Sequence, residues 1–539
     1  MKLIRLLIRA SLPFFLLAAF SSLMSGLFST LTIKEVHSAI NGEVESIQRF
    51  IGIFVAYIVG YLLFSVIASV SISYITKKIV HNLRVDLTNS IIKANYSHLE
   101  NLKAKLLPVL TEDITTIGVV IERLPSVANG MATVLGLLIY MVWLSPPLSG
   151  LTLLAFVLIA LINVITLKFI AKYSKLSREY TNRIYEAFEG LVYGLKSLKV
   201  NAVFRESYVN KKVIPGSLQQ MKYYFYHNVL NAFTNRMNDI ILFIFLGTII
   251  VLVFLFDFVT MDFFNKYLTL ILFMLSPLGT ISGFFSTMKK IEASVYQIDQ
   301  LGIDVGREVE LKEIETVQPL DLSDTEKENI ELLQLMYVHE DGDNSFQLGP
   351  MDLSIERGKI TFITGGNGSG KTTLIKVICG LYLPEKGELK YRGLSIEEEN
   401  LSAYRNLFAV VFTDSFVFDH LKHIPKEVIE TKAPEYLELL GLSEKVSIQD
   451  GQLSSVNLSE GQKKRVVLLK ALLEDKEIYV FDEWAAYQDQ RSKELFFHTI
   501  LPYLRDQGKT VINISHDSGF EDVADQTVHL RFGQIDKIS

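Results

Sequence analysis

Between the strand-like run KITFIT and the helical run TLIKVICGLY, the chain carries GGNGSGKT, Gly365 to Thr372. It fills every position of the phosphate-loop pattern GxxxxGK[ST]. Gly365, Gly366, Gly368 and Gly370, with Asn367 and Ser369 among them, let successive backbone N–H groups wrap phosphates at a helix N-terminus. Lys371 then reaches the terminal phosphates, Thr372 offers Mg2+ a hydroxyl, and Thr373 completes the run. The bland reading, a glycine-rich turn before a buried helix, explains neither the complete match nor its flanks. Further along, the apolar IYVF leads into Asp482 and Glu483. A carboxylate at the end of a buried strand suits Mg2+, here Asp482, and the next one, Glu483, suits a general base acting on water. Such a pair on its own is usually a solvated strand end; the phosphate loop reverses that reading. In LSEGQKKR, Leu458 to Arg465, Ser459 and Gly461 stand just before a helical run, with Gln462 next. A hydroxyl and backbone N–H groups there suit phosphate oxygens. The chemistry is Mg2+-assisted hydrolysis of a nucleoside triphosphate.

These residues sit in an unusual chain. Of 539 residues, 49% are hydrophobic and 21% charged, with a mean hydropathy of +0.29, which excludes an ordinary soluble enzyme and a disordered protein. Residues 1–300 carry 27 Lys and Arg against 17 Asp and Glu, a net of +10, whereas 301–539 carry 26 against 42, a net of −16. The single cysteine, Cys379, excludes an intrachain disulfide and a four-cysteine metal site. A pI near 6.0 and the lack of a basic tail leave no nucleic-acid footprint.

Six stretches are long and apolar enough to cross a bilayer, near 12–33, 50–75, 125–145, 147–171, 240–258 and 264–287. The first follows Lys2, Arg5 and Arg9 but stays apolar to Ile33, longer than a cleaved signal needs. Lys and Arg crowd 76–124 and 172–239, so both belong inside; Ser145-Pro146-Pro147 and the loop of Asp257 and Asp262 carry none and belong outside. Both termini then lie in the cytoplasm. The inner segments keep helical periodicity, so membrane helices continue past the bilayer. The organisation expected is a transmembrane domain over 1–300, an acidic linker over 301–329 and an α/β phosphate-loop domain over 330–539. Asn228, Asn231, Asn235 and Asn238 are spaced to share a helical face, a candidate lining for a cargo path that Ser22, Ser25 and Ser29 could continue.

LSEGQ, shortly before the strand that ends at Asp482, resembles the signature motif of ATP-binding cassette (ABC) proteins. The resemblance spans essentially the whole chain. Six spans, two long inner segments and one cassette are similar to a bacterial exporter half-transporter in the cytoplasmic membrane. This implies an all-α six-helix transmembrane domain, a homodimer embedded in lipid, and two ATP sites at its interface. Each site would combine Lys371, Asp482, Glu483 and His516 of one chain with Ser459 and Gly461 of the other. Within AAYQD, Asp489 matches the subunit-contacting loop, and His516 in NISHD the switch histidine at the γ-phosphate. GGNGSGKTT, VVFTDSFVFD, LSEGQKKR and DEWAAYQD resemble the subfamily that exports cyclic peptides and pyoverdine-type siderophores, implying a peptide-like cargo. Two departures from the family pattern fall in the ATP site itself, and the interval from Asp414 to Leu458 is also short for an exporter, with no acidic cross-linking motif just before the signature. Thr413 stands where most cassettes have a Mg2+-contacting glutamine, with Asp414 beside it. His339 falls in the adenine-stacking slot, with Tyr337 two residues earlier on the same strand face. A flippase for lipid-linked precursors, a drug exporter and an ATP-switched membrane regulator are the alternative readings.

Overall fold

The structure, a computed structural model, describes residues 2–42, 44–100, 102–255, 261–300, 320, 329–341, 344–515 and 519–539. The chain forms two units, Met1–Ala94 with His98–Glu310, and Asn95–Ser97 with Leu311–Ser539. Apart from Leu320 and Asn329, the expected linker lies outside the described residues.

The first unit is built on helices α1 (Lys2–Ile40), α2 (Ile47–Lys93), α3 (Leu124–Leu144), α4 (Pro146–Tyr193), α5 (Ile214–Leu255) and α6 (Met261–Gln300). Among the described residues the unit has six candidate membrane spans, the number the apolar runs require. In α2 the most apolar stretch has no buried residue, and Val59, Leu63, Val66 and Val70 stand exposed. Such a face is stable in hydrocarbon, because helices satisfy their own backbone groups there. The helix α1 breaks at Ser11 (φ −173°, ψ 102°), which leaves Pro13 in the first turn of the segment that follows, where its missing N–H costs no helical hydrogen bond. Both α2 and α4 run on well past their apolar stretches, as the periodicity predicts.

Small residues bring these helices together. A Cβ on Gly26 would lie 2.3 Å from the Cβ of Ala132, so α1 and α3 touch backbone to backbone. Farther round the unit, Asn163 donates to Asn238, Asn238 to Ser282 and Ser282 back to Asn163, each at 3.2 Å. This closed ring joins α4, α5 and α6. The asparagine stripe is thereby divided: Asn238 is buried in the ring and Asn231 bonds His227 at 3.0 Å, whereas Asn228 and Asn235 are exposed. At 100° per residue the two inner amides lie about 60° round the helix from the outer two. Ser22, Ser25 and Ser29 line a different feature, a cavity among α1, α2, α3 and α6.

The second unit contains β1 (Ile330–Asp341), β2 (Asn344–Ile355), β3 (Ile360–Gly365), α7 (Lys371–Ile378), β4 (Lys386–Tyr391), β5 (Leu394–Ser395), β6 (Phe408–Val411), α8 (Lys426–Leu439), β7 (Ile448–Gln449), β8 (Gln452–Leu453), α9 (Glu460–Glu474), β9 (Ile478–Asp482), β10 (Thr510–Ile514), β11 (Gln526–Arg531) and β12 (Gln534–Ile538). One sheet runs β2-β1-β4-β5 and is antiparallel; the larger runs β12-β11-β3-β10-β9-β6, parallel except for β12. Every residue of β9 and β10 is buried, because a parallel sheet is covered on both faces. One core joins Leu374, Ile375 and Ile378 of α7 to Tyr337 and Leu348 of the smaller sheet. The other gathers α8, α9, Phe481 and Trp484.

Candidate functional site

The register of the parallel strands assembles the site. Ile514 pairs with both Ile363 and Asp482, and Val411 with Phe481. The loops after β3, β6, β9 and β10 therefore leave the sheet side by side at its carboxyl edge, where open α/β sheets bind ligands. That edge collects Gly365 to Lys371, Thr413, Asp482, Glu483 and Ser515. His516 lies outside the described residues.

Two glycines of the loop are dictated by space. Gly365 (φ 146°) would place a Cβ 2.3 Å from the carbonyl oxygen of Leu530, and Gly370 (φ 102°) one 2.9 Å from the Phe346 ring. Gly366, Asn367 and Gly368 are exposed, while Ser369 is buried. Lys371 heads α7, and its Nζ donates to the carbonyls of Gly365 and Gly366, both at 3.0 Å. Burial pushes its pKa down, with Glu483 and Asp482 pulling the other way. Thr372 is exposed on the first turn and Thr373 half-buried.

Asp482 is 2% exposed, and its Oδ1 has no hydrogen-bond partner among the described residues. Burial raises its pKa, opposed first by a hydrogen bond from Thr413. An unpartnered carboxylate oxygen beside a phosphate loop is the donor that hydrated Mg2+ takes, so the residues present fit that ion. The hydroxyl of Thr413 donates to the main-chain carbonyl of Asp482 at 3.0 Å, tying the end of β6 to that of β9; Asp414, next to it, is exposed. Glu483 adopts left-handed backbone angles (φ 51°, ψ 41°). That geometry costs a non-glycine residue on the order of 1 kcal/mol, and the surroundings hold it. Glu483 N–H donates to Ile514 at 3.2 Å, and Lys464 Nζ donates to the Glu483 carbonyl at 2.9 Å.

Ser459 caps α9 in a reciprocal box: its Oγ accepts from Gln462 N–H at 3.4 Å, and Gln462 Oε1 accepts from Ser459 N–H at 3.1 Å. The cap uses only the acceptor side of the hydroxyl, leaving its proton for a phosphate oxygen. It also commits the Gln462 carbonyl to the helix. The Gly461 carbonyl accepts from Gln488 Nε2 at 3.1 Å, which links the signature turn to the AAYQD loop. Asp489 is exposed and caps the next helix by accepting from Ser492 N–H at 2.8 Å, the main reason its pKa is lowered.

Tyr337 is not available to adenine. It is buried and stacked on Tyr382, centroids 4.7 Å apart, within the core that also holds Leu335 and Leu348. The side chain of His339 lies outside the described residues; its backbone pairs with Phe346. Two residues of this region went unread in the sequence. Phe346 sets its ring against Gly370, a position legible only once the hairpin register is known. Lys464, 8% exposed, is one of two lysines in QKKR, and the helical periodicity of α9 alone could have singled it out as the inward one.

Residues 11–278 match the family model for the ABC transporter transmembrane region and residues 348–486 the family model for the ABC transporter. The chain is 29% identical over 530 residues to ATP-binding protein SyrD of Pseudomonas syringae pv. syringae, covering 96% of this chain and 92% of that protein. Its cassette is 29% identical over 219 residues to energy-coupling factor transporter ATP-binding protein EcfA1 of Mycoplasmopsis synoviae, covering 38% of this chain and 80% of that one. In fold it is similar to a bacterial Atm1-family ABC exporter with ATP bound, with a TM-score of 0.78 at 14% identity over 99% of this chain and 95% of that one.

Proposed function

The chain belongs to the ABC transporter family, as an exporter half-transporter whose ATP hydrolysis is coupled to transport, and on that premise we propose that it exports a peptide-like cargo from the cytoplasm as a homodimer. The observation that carries the ATP-driven part is Asp482, a buried carboxylate with an unpartnered oxygen beside a complete phosphate loop.

ATP is the substrate of the cassette. Backbone N–H groups of Gly366 to Gly370 bind its phosphates, Lys371 neutralises the terminal ones, and His339 stacks on adenine. Thr372 and Asp482, with Thr413 or Asp414 near them, would hold Mg2+, which would supply charge neutralisation at the phosphates. Glu483 takes a proton from the attacking water, and His516 contacts the γ-phosphate. Ser459 and Gly461 of the second copy complete the site, and Asp489 mediates contact between copies. Closure on ATP favours one state of the membrane helices and hydrolysis resets it, driven by the different affinity of the two states for ATP. The excess of Lys and Arg in 76–124 and 172–239 supports a cytoplasmic cassette.

The peptide cargo rests on the resemblance of GGNGSGKTT, VVFTDSFVFD, LSEGQKKR and DEWAAYQD to the cyclic-peptide and siderophore exporters. ATPase activity of the purified chain in proteoliposomes tests it. Cyclic peptides should stimulate turnover while labelled lipid-linked precursors neither stimulate it nor change leaflet. Stimulation by the lipid alone, with its translocation, would replace peptide export by lipid flipping.

A further inference from the structure

A cavity of about 430 Å3 lies within the first unit among α1, α2, α3 and α6. All four helices line it with hydroxyls, including Ser29, Ser65, Ser126 and Ser276, and Asn129 adds an amide. No charged side chain is among its described lining residues. It lies inside the stretches that cross the membrane, where polar groups facing lipid have nothing to bond.

The void is built rather than left over from loose packing. Beside it, a Cβ on Gly26 would meet Asn129 O at 2.9 Å, one on Gly136 would meet Thr30 Oγ1 at 2.5 Å, and one on Gly130 would meet Pro277 O at 3.3 Å. The walls are at closest approach around an open centre. Its deep end is already fixed by hydrogen bonds: Asn129 Nδ2 donates to Ser25 Oγ at 2.8 Å and Thr133 Oγ1 to Asn129 Oδ1 at 3.2 Å. At its mouth Ser69, Ser126, Ser276 and Thr280 are exposed. The lipid-compatible face of α2, with Val59, Leu63, Val66 and Val70 exposed, lies about 130° round the helix from Tyr61, Ser65 and Ser69.

We propose that this cavity binds an uncharged, amide- or hydroxyl-bearing part of the cargo, a reading that rests on the export function above. Hydroxyls donate and accept, so they suit neutral groups that do both, and a cavity without a cation or anion rejects a carboxylate by leaving it unpaired. Its volume is within the range of about 300–1,000 Å3 typical of small-molecule sites, enough for a segment of a peptide. Tyr61 and Phe273, also in the lining, supply apolar faces for the side chains of that segment.

The test uses the full chain in nanodiscs, a radiolabelled uncharged cyclic peptide and the same peptide bearing a carboxylate in place of one hydroxyl. The neutral peptide should bind at least about tenfold more tightly than the carboxylated one, and Ser29→Leu with Ser65→Leu should raise its Kd about tenfold or more. Ser29→Thr with Ser65→Thr, which keeps both hydroxyls, should restore binding and shows that bulk at those positions is tolerated. Equal Kd for both peptides, or a leucine variant that binds as tightly as the wild type, overturns the site. ATP-driven uptake of the peptide by proteoliposomes of the wild type separates the two claims. If uptake occurs and survives the leucine substitutions, export stands and the cavity is not its binding site. If no peptide is taken up or bound, the export reading itself fails and takes the site with it.

Discussion

Lys464 Nζ donates to the main-chain carbonyl of Glu483 at 2.9 Å, so the helix capped by Ser459 is pinned to the residue that would activate water. Trp484 completes the clasp by donating Nε1 to the Lys464 carbonyl at 3.0 Å. Burial lowers the pKa of Lys464, with Glu483 and Asp482 opposing, and the amine is held among carboxylates that favour its charged form.

Lys464→Met should lower kcat for ATP by about tenfold to a hundredfold with little change in KM. It removes the Lys464 amine from the Glu483 carbonyl, which keeps its bond from Ala486 N–H at 3.2 Å, and so loosens the left-handed turn that aims Glu483, while the phosphate cradle is untouched. Steady-state ATPase kinetics read the split. A rise in KM with kcat intact would make Lys464 part of the nucleotide cradle instead.

Replacing Asp482 by Asn should separate stability from activity. A carboxyl whose folded pKa is raised is penalised in the folded state above that pKa, and the penalty is relieved as pH falls through it. At neutral pH the neutral amide avoids the penalty, so the Mg2+-free variant should melt higher than the wild type while Mg2+-dependent turnover is lost. The wild type should close the gap as the medium is acidified. A lower melting point at neutral pH would show that neighbouring cations, not burial, govern this carboxyl.

Tyr337→Ala and His339→Ala should fail in opposite ways. Removing the Tyr337 ring from its stack on Tyr382 should destabilise the cassette by about 3 kcal/mol, whereas His339→Ala should raise KM for ATP and GTP alike with the melting temperature unchanged. Calorimetry beside nucleotide titration distinguishes them, and the reverse pattern would move the adenine site.

Asn238→Leu should destabilise the first unit, because it opens the ring with Asn163 and Ser282 and strands two partners, each interhelical bond contributing on the order of 0.6 kcal/mol. Asn235→Leu should be silent, being exposed. Thermal unfolding in detergent compares the two; equal losses would restore the four amides to one face.

The motifs were legible because each fixes its own backbone: a phosphate loop needs its glycines wherever it occurs, and six spans need six apolar runs. Lys464 and Phe346 were not, because their roles depend on partners distant in the chain, Glu483 and Gly370, that only the packing of α9 on β9 and the pairing of β1 with β2 bring near. The asparagine stripe was half legible. Spacing put four amides on one side of α5, but the arrival of Asn163 and Ser282 decided which two turned inward. The pairing of Arg178 with Glu112 at 2.7 Å and Asp113 at 2.8 Å was hidden for the same reason: its members are far apart in sequence and none sits in a motif.

The central claim, that ATP hydrolysed at Glu483 drives export, is tested most directly by ATP-dependent accumulation of a labelled cyclic peptide in proteoliposomes with the cassette outside. Wild-type chain should accumulate the peptide against a gradient, and Glu483→Gln should bind ATP with normal affinity yet lose turnover and accumulation together, by about a hundredfold or more. Accumulation that persists in Glu483→Gln, or ATP turnover in the wild type with no peptide movement, would contradict it.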